Sequence, residues 1–542
     1  MDRPWYAFYD KDVPRTIAYP NVTLKELFNK NAENNPGKPY LVFKDITLPY
    51  RLCNSMARRL ANGLLKRGVI KGDRVALLMP NIPQYPLSLM ACYKIGAIAV
   101  PANPLFTVPE LAFQLSDSGA ETVVVMAPFA DKVIQTVKTG GASVKRIIVV
   151  QTPGGNIDLE EADYIVDYDT LLGQSEEHEP DIAVHPEDVA ILQYTGGTTG
   201  FPKGCMLTHA NLVAMLEQTG AWCRPGCPLD LVRTLAAVPL YHVFGMNCNI
   251  NMALYSAGTI ILVAQPTPDN ILEAINRHEP TVWAAVPAMI LGMINHPDIV
   301  SSKLKGIKLV ICGGAPLHVE VMKKFEELSG ALIWEGYGLS ETSNVITGNS
   351  PILRKPGSGG VPFPDVDIRI VDLENGTKAM PTGEPGEIIA KGPQIMSGYW
   401  NNQEETANAL KDGWLFTGDI GYMDRDGYLF ILDRKKDMII CSGFNVYPRE
   451  IDEILYTNPK ILEACAIGIP DEKRGETVKT YVVLKAGMSM TSQEVIDFCH
   501  ERLVPYKVPK IVEFIDQLPR TRFGKPDRKT LRAMDEAKRR QM

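Results

Sequence analysis

Gln193-Tyr194-Thr195-Gly196-Gly197-Thr198-Thr199-Gly200-Phe201-Pro202-Lys203-Gly204 is the stretch whose reading decides the fold. The apolar run Val189–Tyr194 ahead of the loop has the length and character of a buried strand. Beyond it, Leu212, Met215, Leu216 and Thr219 share one face of a helix expected from about His209. Between the two lie glycines, threonines and a lysine. Glycine lets a backbone come close to a ligand, and successive N–H groups in such a loop form a concavity for an anion. Threonine hydroxyls and Lys203 add donors and positive charge, so the loop is built to grip phosphate. It does not follow the motor-ATPase pattern G-x-x-x-x-G-K-[ST], because Pro202 precedes Lys203 and Gly204-Cys205 follow it. A flexible Gly/Thr turn with no ligand has the same composition, and composition alone leaves both readings open.

Read as Y-T-G-G-T-T-G-x-P-K-G, the loop resembles the signature of the adenylate-forming superfamily: acyl-CoA synthetases, peptide-synthetase adenylation domains and firefly-type luciferases. Pro101–Thr107, Glu110-Leu111 and Gln114–Ala120 are most similar to bacterial or archaeal medium- to long-chain fatty acid–CoA ligases. The resemblance covers nearly the whole chain. It implies an α/β fold with a large N-terminal domain of α/β sheets plus a β-rich subdomain over residues 1–432. A hinge at 433–437 and a small mobile α+β C-terminal lid over 438–542 follow.

The composition agrees with an enzyme of several folding units. The chain has 542 residues, 45% hydrophobic and 22% charged, enough to bury a large core. A formal net charge of −7 argues against nucleic-acid binding. The 10 cysteines include no C-x-x-C pair, which points away from a disulfide framework or zinc site and toward reduced thiols in the cytoplasm. Met1–Tyr6 lacks the apolar core of a signal peptide. Val282–Ile294 is broken by Pro287, and Met246–Ala264 by Asn247, Asn249 and Asn251, so neither reads as a membrane span.

Periodicity places the remaining elements. Leu52, Met56, Leu60 and Leu64 keep a four-residue spacing, and Gly68 stands where a helix cap is expected. Arg74–Met79, Glu121–Met126 and Val144–Val150 read as buried strands. Pro153–Asn156 and the acidic Ser175–Glu179 read as surface loops. Asn375-Gly376 and Asp426-Gly427 read as hairpin turns. In the tail, Glu450–Leu455 reads as a helix, Leu462–Ile467, Lys479–Leu484 and Lys510–Ile515 as strands, and Thr491 with Glu494 as a capping box.

The resemblance gives roles to residues that spacing alone leaves ambiguous. In Val238–Met246, His242 sits where carboxylate and nucleotide meet, and Val243, Phe244, Gly245 and Met246, with Gly338, line the acyl pocket. Gly245 is expected to leave room beside the chain, and methionine to make an adaptable wall. Gly314 and Ala315 receive adenine. In Trp334–Thr342, Glu335, Gly336, Tyr337, Ser340 and Thr342 surround the nucleotide, Tyr337 offering a ring face. Glu341 supplies a hard oxygen for magnesium, which is shared with Thr195. Asp419 takes both ribose hydroxyls, with Arg434 and Lys436 nearby. Lys525, in Pro519–Lys525, is the catalytic lysine. Ser442, Gly443 and Phe444 face coenzyme A, where glycine leaves a passage for the pantetheine arm. Unaided, His242 reads as a core histidine, Asp419 as a turn residue, Asp433–Asp437 as solvated charge and Lys525 as a solvated lysine.

The implied activity is ATP- and Mg2+-dependent ligation. A carboxylate and ATP give acyl-adenylate and pyrophosphate, and coenzyme A then displaces AMP. A medium- or long-chain fatty acid is the expected substrate. An aryl-CoA ligase of benzoate or coumarate type is the alternative, and a non-enzymatic lipid-binding protein is the alternative of another class. Two departures from the family stand out. Met246 occupies the place of a gating tryptophan, and Ile440-Cys441 stand where many members carry a lysine. The expected setting is cytoplasmic, as a monomer or homodimer, with contact at the inner membrane face left open.

Overall fold

The computed structural model describes residues 3–152, 163–195, 202–314, 317, 319–350, 353–441, 444–471, 473–521 and 526–541. They form two compact units. The first comprises Met1–Ile368, Ala390–Leu415 and Asp426–Tyr428; the second comprises Arg369–Ile389, Phe416–Arg425 and Leu429–Met542.

The first unit carries two large sheets. In one, Arg74–Leu78, Ile98–Pro101, Thr122–Met126 and Arg146–Val150 run parallel, and Val189–Thr195 joins beside Ile98–Pro101. Parallel strands are covered on both faces, which is why these segments are continuous apolar runs rather than alternating ones. Lys203–Thr208 returns antiparallel to Val189–Thr195 at the sheet's edge. The helix that follows, His209–Cys223, buries Leu212, Met215, Leu216 and Thr219 as the periodicity predicts.

The helix over Tyr50–Lys66 differs from its expected stripe. Its core face is Tyr50, Cys53, Ala57, Leu60, Ala61 and Leu64, while Leu52 is 42% exposed. A strict spacing of four overshoots the 3.6-residue turn by about 40° per step, so Leu52 lies about 120° away from Leu64. The acidic Ser175–Glu179 is also no plain surface loop. Ser175 is buried, and Glu179 pairs with the fully buried Lys94 at 2.7 Å and with Arg58 at 2.8 Å. A buried ammonium requires such a partner.

In the second large sheet, Leu332–Tyr337, Leu309–Cys312, Val282–Ala285, Arg233–Ala236, Thr259–Leu262 and Pro39–Phe43 lie parallel in that order. From Arg233–Ala236 the chain goes first to Thr259–Leu262 on one side, then crosses to Val282–Ala285 on the other. The strand order therefore reverses beside Arg233–Ala236, and ligands of open α/β sheets bind outside the carboxyl ends at such a point. Val282–Ile294 resolves into a strand and the helix Pro287–Ile294, and Met246–Asn251 forms a π-helical turn with its three asparagines buried. Among the described residues no helix is long and apolar enough to cross a membrane.

In the second unit, Asp419–Met423 pair antiparallel with Leu429–Arg434. The Asp372 carboxylate accepts the backbone N–H groups of Asn375, Gly376, Thr377 and Lys378, closing the expected turn. Ile461–Asp471 and Gly475–Leu484 form a long hairpin extended by Ile439–Cys441 and Ile511–Phe514. Helices Pro448–Tyr456 and Ser492–His500 are present, the latter with its Thr491/Glu494 capping box, and Arg528–Gln541 ends the unit. All ten cysteines are buried and free.

Candidate active site

The mouth of the phosphate loop is held by strand pairing. Thr195 lies opposite Lys203 and Tyr194 opposite Gly204. Gly196, Gly197, Thr198, Thr199 and Gly200 lie outside the described residues. The Tyr194 hydroxyl donates to Asp117 Oδ2 at 2.5 Å, which ties the strand to the end of the helix Val108–Ser118.

A residue that sequence reasoning passed over organises this end of the sheet. Residues 397–400 lie along the outer side of Lys203–Thr208: Met206 N–H donates to Gly398 O, Ser397 N–H to Met206 O, and Trp400 N–H to Gly204 O at 2.8 Å. This seats Tyr399 between two charges. Its hydroxyl donates to Glu341 Oε1 at 2.9 Å, and the ammonium of Lys203 lies 5.2 Å from its ring centroid. Burial, reinforced by the Glu341 carboxylate, pushes the Tyr399 phenol well above its ordinary range, so it stays a donor. Lys203 also pairs with Glu405. Among the described residues Glu341 Oε2 receives no protein donor, and the side chain is partly exposed. A single hard carboxylate oxygen of this kind fits magnesium shared with phosphate oxygens, and among the described residues no cluster of three or more acidic, His or Cys ligands competes for it.

The carboxyl ends of the parallel strands supply the next group. His242 follows Arg233–Ala236 and caps a short helical turn, its Nδ1 accepting the Phe244 N–H at 3.2 Å. In the neutral ring this leaves Nε2 as the protonated nitrogen. Gly313 and Gly314 follow Leu309–Cys312, and the Phe244 ring lies over the open side of Gly313. Gly314 turns the chain with φ +82°; Ala315 lies outside the described residues. Glu335 and Gly336 belong to the strand Leu332–Tyr337, and Glu335 Oε1 accepts the Leu317 N–H at 3.2 Å. Tyr337 ends that strand, and Ser340, Glu341 and Thr342 form the 3-10 turn beyond it, packed against Val189–Thr195 and Lys203–Thr208. Thr342 is buried, and its hydroxyl bonds the Leu339 backbone rather than offering itself to a nucleotide.

The expected acyl wall is tighter than the sequence suggests. Val243 and Met246 are buried in the main core. Gly245 leaves no room beside it: a Cβ there would lie 2.1 Å from the Pro239 carbonyl oxygen and 3.0 Å from that of Val238. Gly338 is likewise filled on its open side by the Asn344 carbonyl, 2.0 Å from an added Cβ. Both glycines serve a close approach of the chain to itself.

In the second unit, Asp419 is directly opposite Arg434, whose Nε lies 2.7 Å from Asp419 Oδ1. Glu387 accepts from Lys435 at 2.8 Å and from the Gly418 N–H at 3.2 Å. Lys436 is exposed. The charges at 433–437 are not all solvated: Asp433 and Asp437 are buried. Asp433 accepts the N–H groups of Arg434 and Arg449, and Arg532 pairs with Asp437 at 2.8 Å. Phe444 is exposed and stacks on Tyr506 with centroids 4.5 Å apart. Ser442, Gly443 and Lys525 lie outside the described residues.

The AMP-binding enzyme family matches residues 28–400, and the AMP-binding enzyme C-terminal domain matches residues 450–525. The chain belongs to the AMP-binding enzyme family. This AMP-binding enzyme is 40% identical to the long-chain-fatty-acid–CoA ligase of Bacillus subtilis, over 98% of this chain and 97% of that one. It is 37% identical to the feruloyl-CoA synthase of an Amycolatopsis species, over 88% and 92% respectively. Among solved structures, ATP-bound MatB from Rhodopseudomonas palustris superposes with a TM-score of 0.85 at 30% identity, covering 95% of this AMP-binding enzyme and 99% of that chain.

Proposed function

We infer that this chain is an ATP-dependent acyl-CoA ligase acting on fatty acids, with ATP, Mg2+ and coenzyme A as its small-molecule partners. A carboxylate oxygen attacks the α-phosphorus of ATP, the bond to the β-phosphate oxygen breaks, and pyrophosphate leaves. The coenzyme thiol, losing its proton, then attacks the acyl carbonyl and AMP departs.

The observation that carries this reading is the link Lys203–Tyr399–Glu341. It fixes a cation and a hard carboxylate oxygen on one aromatic side chain beside the loop mouth. Carboxylate and triphosphate repel one another, so adenylation needs positive charge and donors placed in advance. Lys203 and the loop from Thr195 would hold the leaving phosphates. Glu341 and Thr195 would hold Mg2+, which supplies charge neutralisation at those oxygens. Asp419, steadied by Arg434, would take the ribose hydroxyls. His242 would stand between acid and nucleotide, and Lys525 would bridge the carboxylate and α-phosphate. A hinge at 433–437 would withdraw the lysine and present Ser442–Phe444 to coenzyme A. The likeness to the fatty-acid ligase supports an alkyl substrate. The feruloyl-CoA synthase likeness supports a second reading, an aryl acid. The proposal places the enzyme in the cytoplasm, with peripheral contact at the inner face of the membrane as an option, as a monomer or homodimer.

A panel from acetate to oleate plus benzoates, assayed for acid-dependent ATP–pyrophosphate exchange and for thioester with coenzyme A, tests it. Medium or long alkyl acids should dominate, each buried methylene adding about 0.8 kcal/mol. Preference for benzoates establishes the second reading, and failure of every acid in the panel to support exchange removes both.

A further inference from the structure

We propose that Glu405 is the counter-ion that holds Lys203 in the nucleotide-free enzyme and yields it to phosphate, so that it sets the affinity for ATP and eases the release of pyrophosphate. This rests on the reading that Lys203 grips phosphate.

Glu405 reaches Lys203 from a hydrogen-bonded block. It stands in the first turn of the helix Gln403–Ala409, where its N–H donates to the Asn402 side chain at 3.1 Å. The next residue, Thr406, accepts the Tyr399 N–H at 2.9 Å and donates to Asn402 O at 2.8 Å. Trp400 bonds Gly204, the neighbour of Lys203, at 2.8 Å. Tyr399 and Glu405 are thus delivered together, the ring beneath the ammonium and the carboxylate against it.

The two partners differ in freedom. The Lys203 side chain is only 13% exposed and lies over an aromatic ring, whereas Glu405 is 31% exposed and stands at a helix start, where the dipole favours its charge with or without a lysine. When a polyphosphate arrives, Glu405 is the group that can move away. The exchange replaces one charge-assisted hydrogen bond with another, so ATP affinity is the difference between two attractions. On the way out, the same carboxylate competes with pyrophosphate for the ammonium.

The test is titration calorimetry of the full-length, nucleotide-free protein with MgATP and with magnesium pyrophosphate. It uses wild type, Glu405→Gln, Lys203→Ala and the double variant, with thermal melting alongside. Glu405→Gln should tighten both ligands by about two- to fivefold, the worth of a partly exposed ion pair. In the Lys203→Ala background the same change should have little effect. Unchanged or weaker binding in Glu405→Gln overturns the proposal, because Glu405 would then only orient Lys203. Equal tightening with and without Lys203 also overturns it, leaving general repulsion. If Lys203→Ala alone binds MgATP as well as wild type does, the phosphate reading itself falls.

Discussion

The hydroxyl of Tyr399 donates to Oε1 of Glu341 over 2.9 Å while the face of the same ring carries Lys203. One aromatic side chain, contributed by a segment far along the sequence, therefore sets the spacing between that cation and that carboxylate.

Tyr399→Phe keeps the ring and removes the donor. A lost hydrogen bond to a charged acceptor costs about 1.5–3 kcal/mol, so adenylation should slow by about 10- to 100-fold, with more Mg2+ needed for half-maximal rate. Lys203 binding of pyrophosphate should be little changed. Pyrophosphate exchange measured against Mg2+ concentration checks this, and an unaltered Mg2+ requirement would show that Tyr399 does not act through a metal at Glu341.

Lys525→Ala and Gly443→Trp should divide the two half-reactions. The first should lose roughly 10²–10³ in adenylation, comparable to removing one oxyanion donor, yet still convert pre-formed acyl-adenylate to thioester. The second should still form adenylate and make almost no acyl-CoA. Parallel loss of both steps in Gly443→Trp, with a lowered melting temperature, would falsify the channel role of Gly443.

At Gly245 the expectation changes sign. Because an added Cβ would meet the Pro239 carbonyl at 2.1 Å, Gly245→Ala should destabilise the protein by about 1–3 kcal/mol through overpacking. Gly245→Phe should fail to fold rather than favour shorter acids. Melting curves and the acid panel decide; a stable Gly245→Phe with a shifted chain-length profile would restore the pocket wall.

His209 predicts an acid limb in stability. Burial holds its imidazole down at about 4 against an ordinary 6.5, with Asp188 opposing and Lys71 assisting. Its Nδ1 accepts the Leu24 N–H at 3.3 Å, and the Tyr93 ring packs edge-on against it. The unfolded chain binds this proton first. The contribution is therefore complete above pH 6.5 and is lost as pH falls toward 4, about 3 kcal/mol in all. His209→Gln should flatten that part of the curve in chemical denaturation between pH 4 and 7.

Much of the frame was legible because it is local. A continuous apolar run and a capping box each report on a few neighbouring residues, and Val189–Thr195, Arg146–Val150 and Thr491 appear where those patterns put them. Tyr399 and Glu405 carry no local sign: their partners Glu341 and Lys203 are 58 and 202 positions away. Asp437 reads as solvated because Arg532, which helps bury it, comes 95 residues later. Gly245 misled for a related reason. A missing side chain looks like space until the backbone that fills it is known.

The pairing of residues 397–400 with Lys203–Thr208 also has a consequence in time. The ribosome completes the strand bearing Lys203 well before it makes the segment that covers it, and at typical elongation rates the interval is roughly 10–40 s. Throughout that interval the outer edge of the nascent sheet has unsatisfied backbone groups, an invitation to aggregate. A chain halted before Tyr399 would carry the whole signature loop and still lack the ring that supports Lys203 and Glu341.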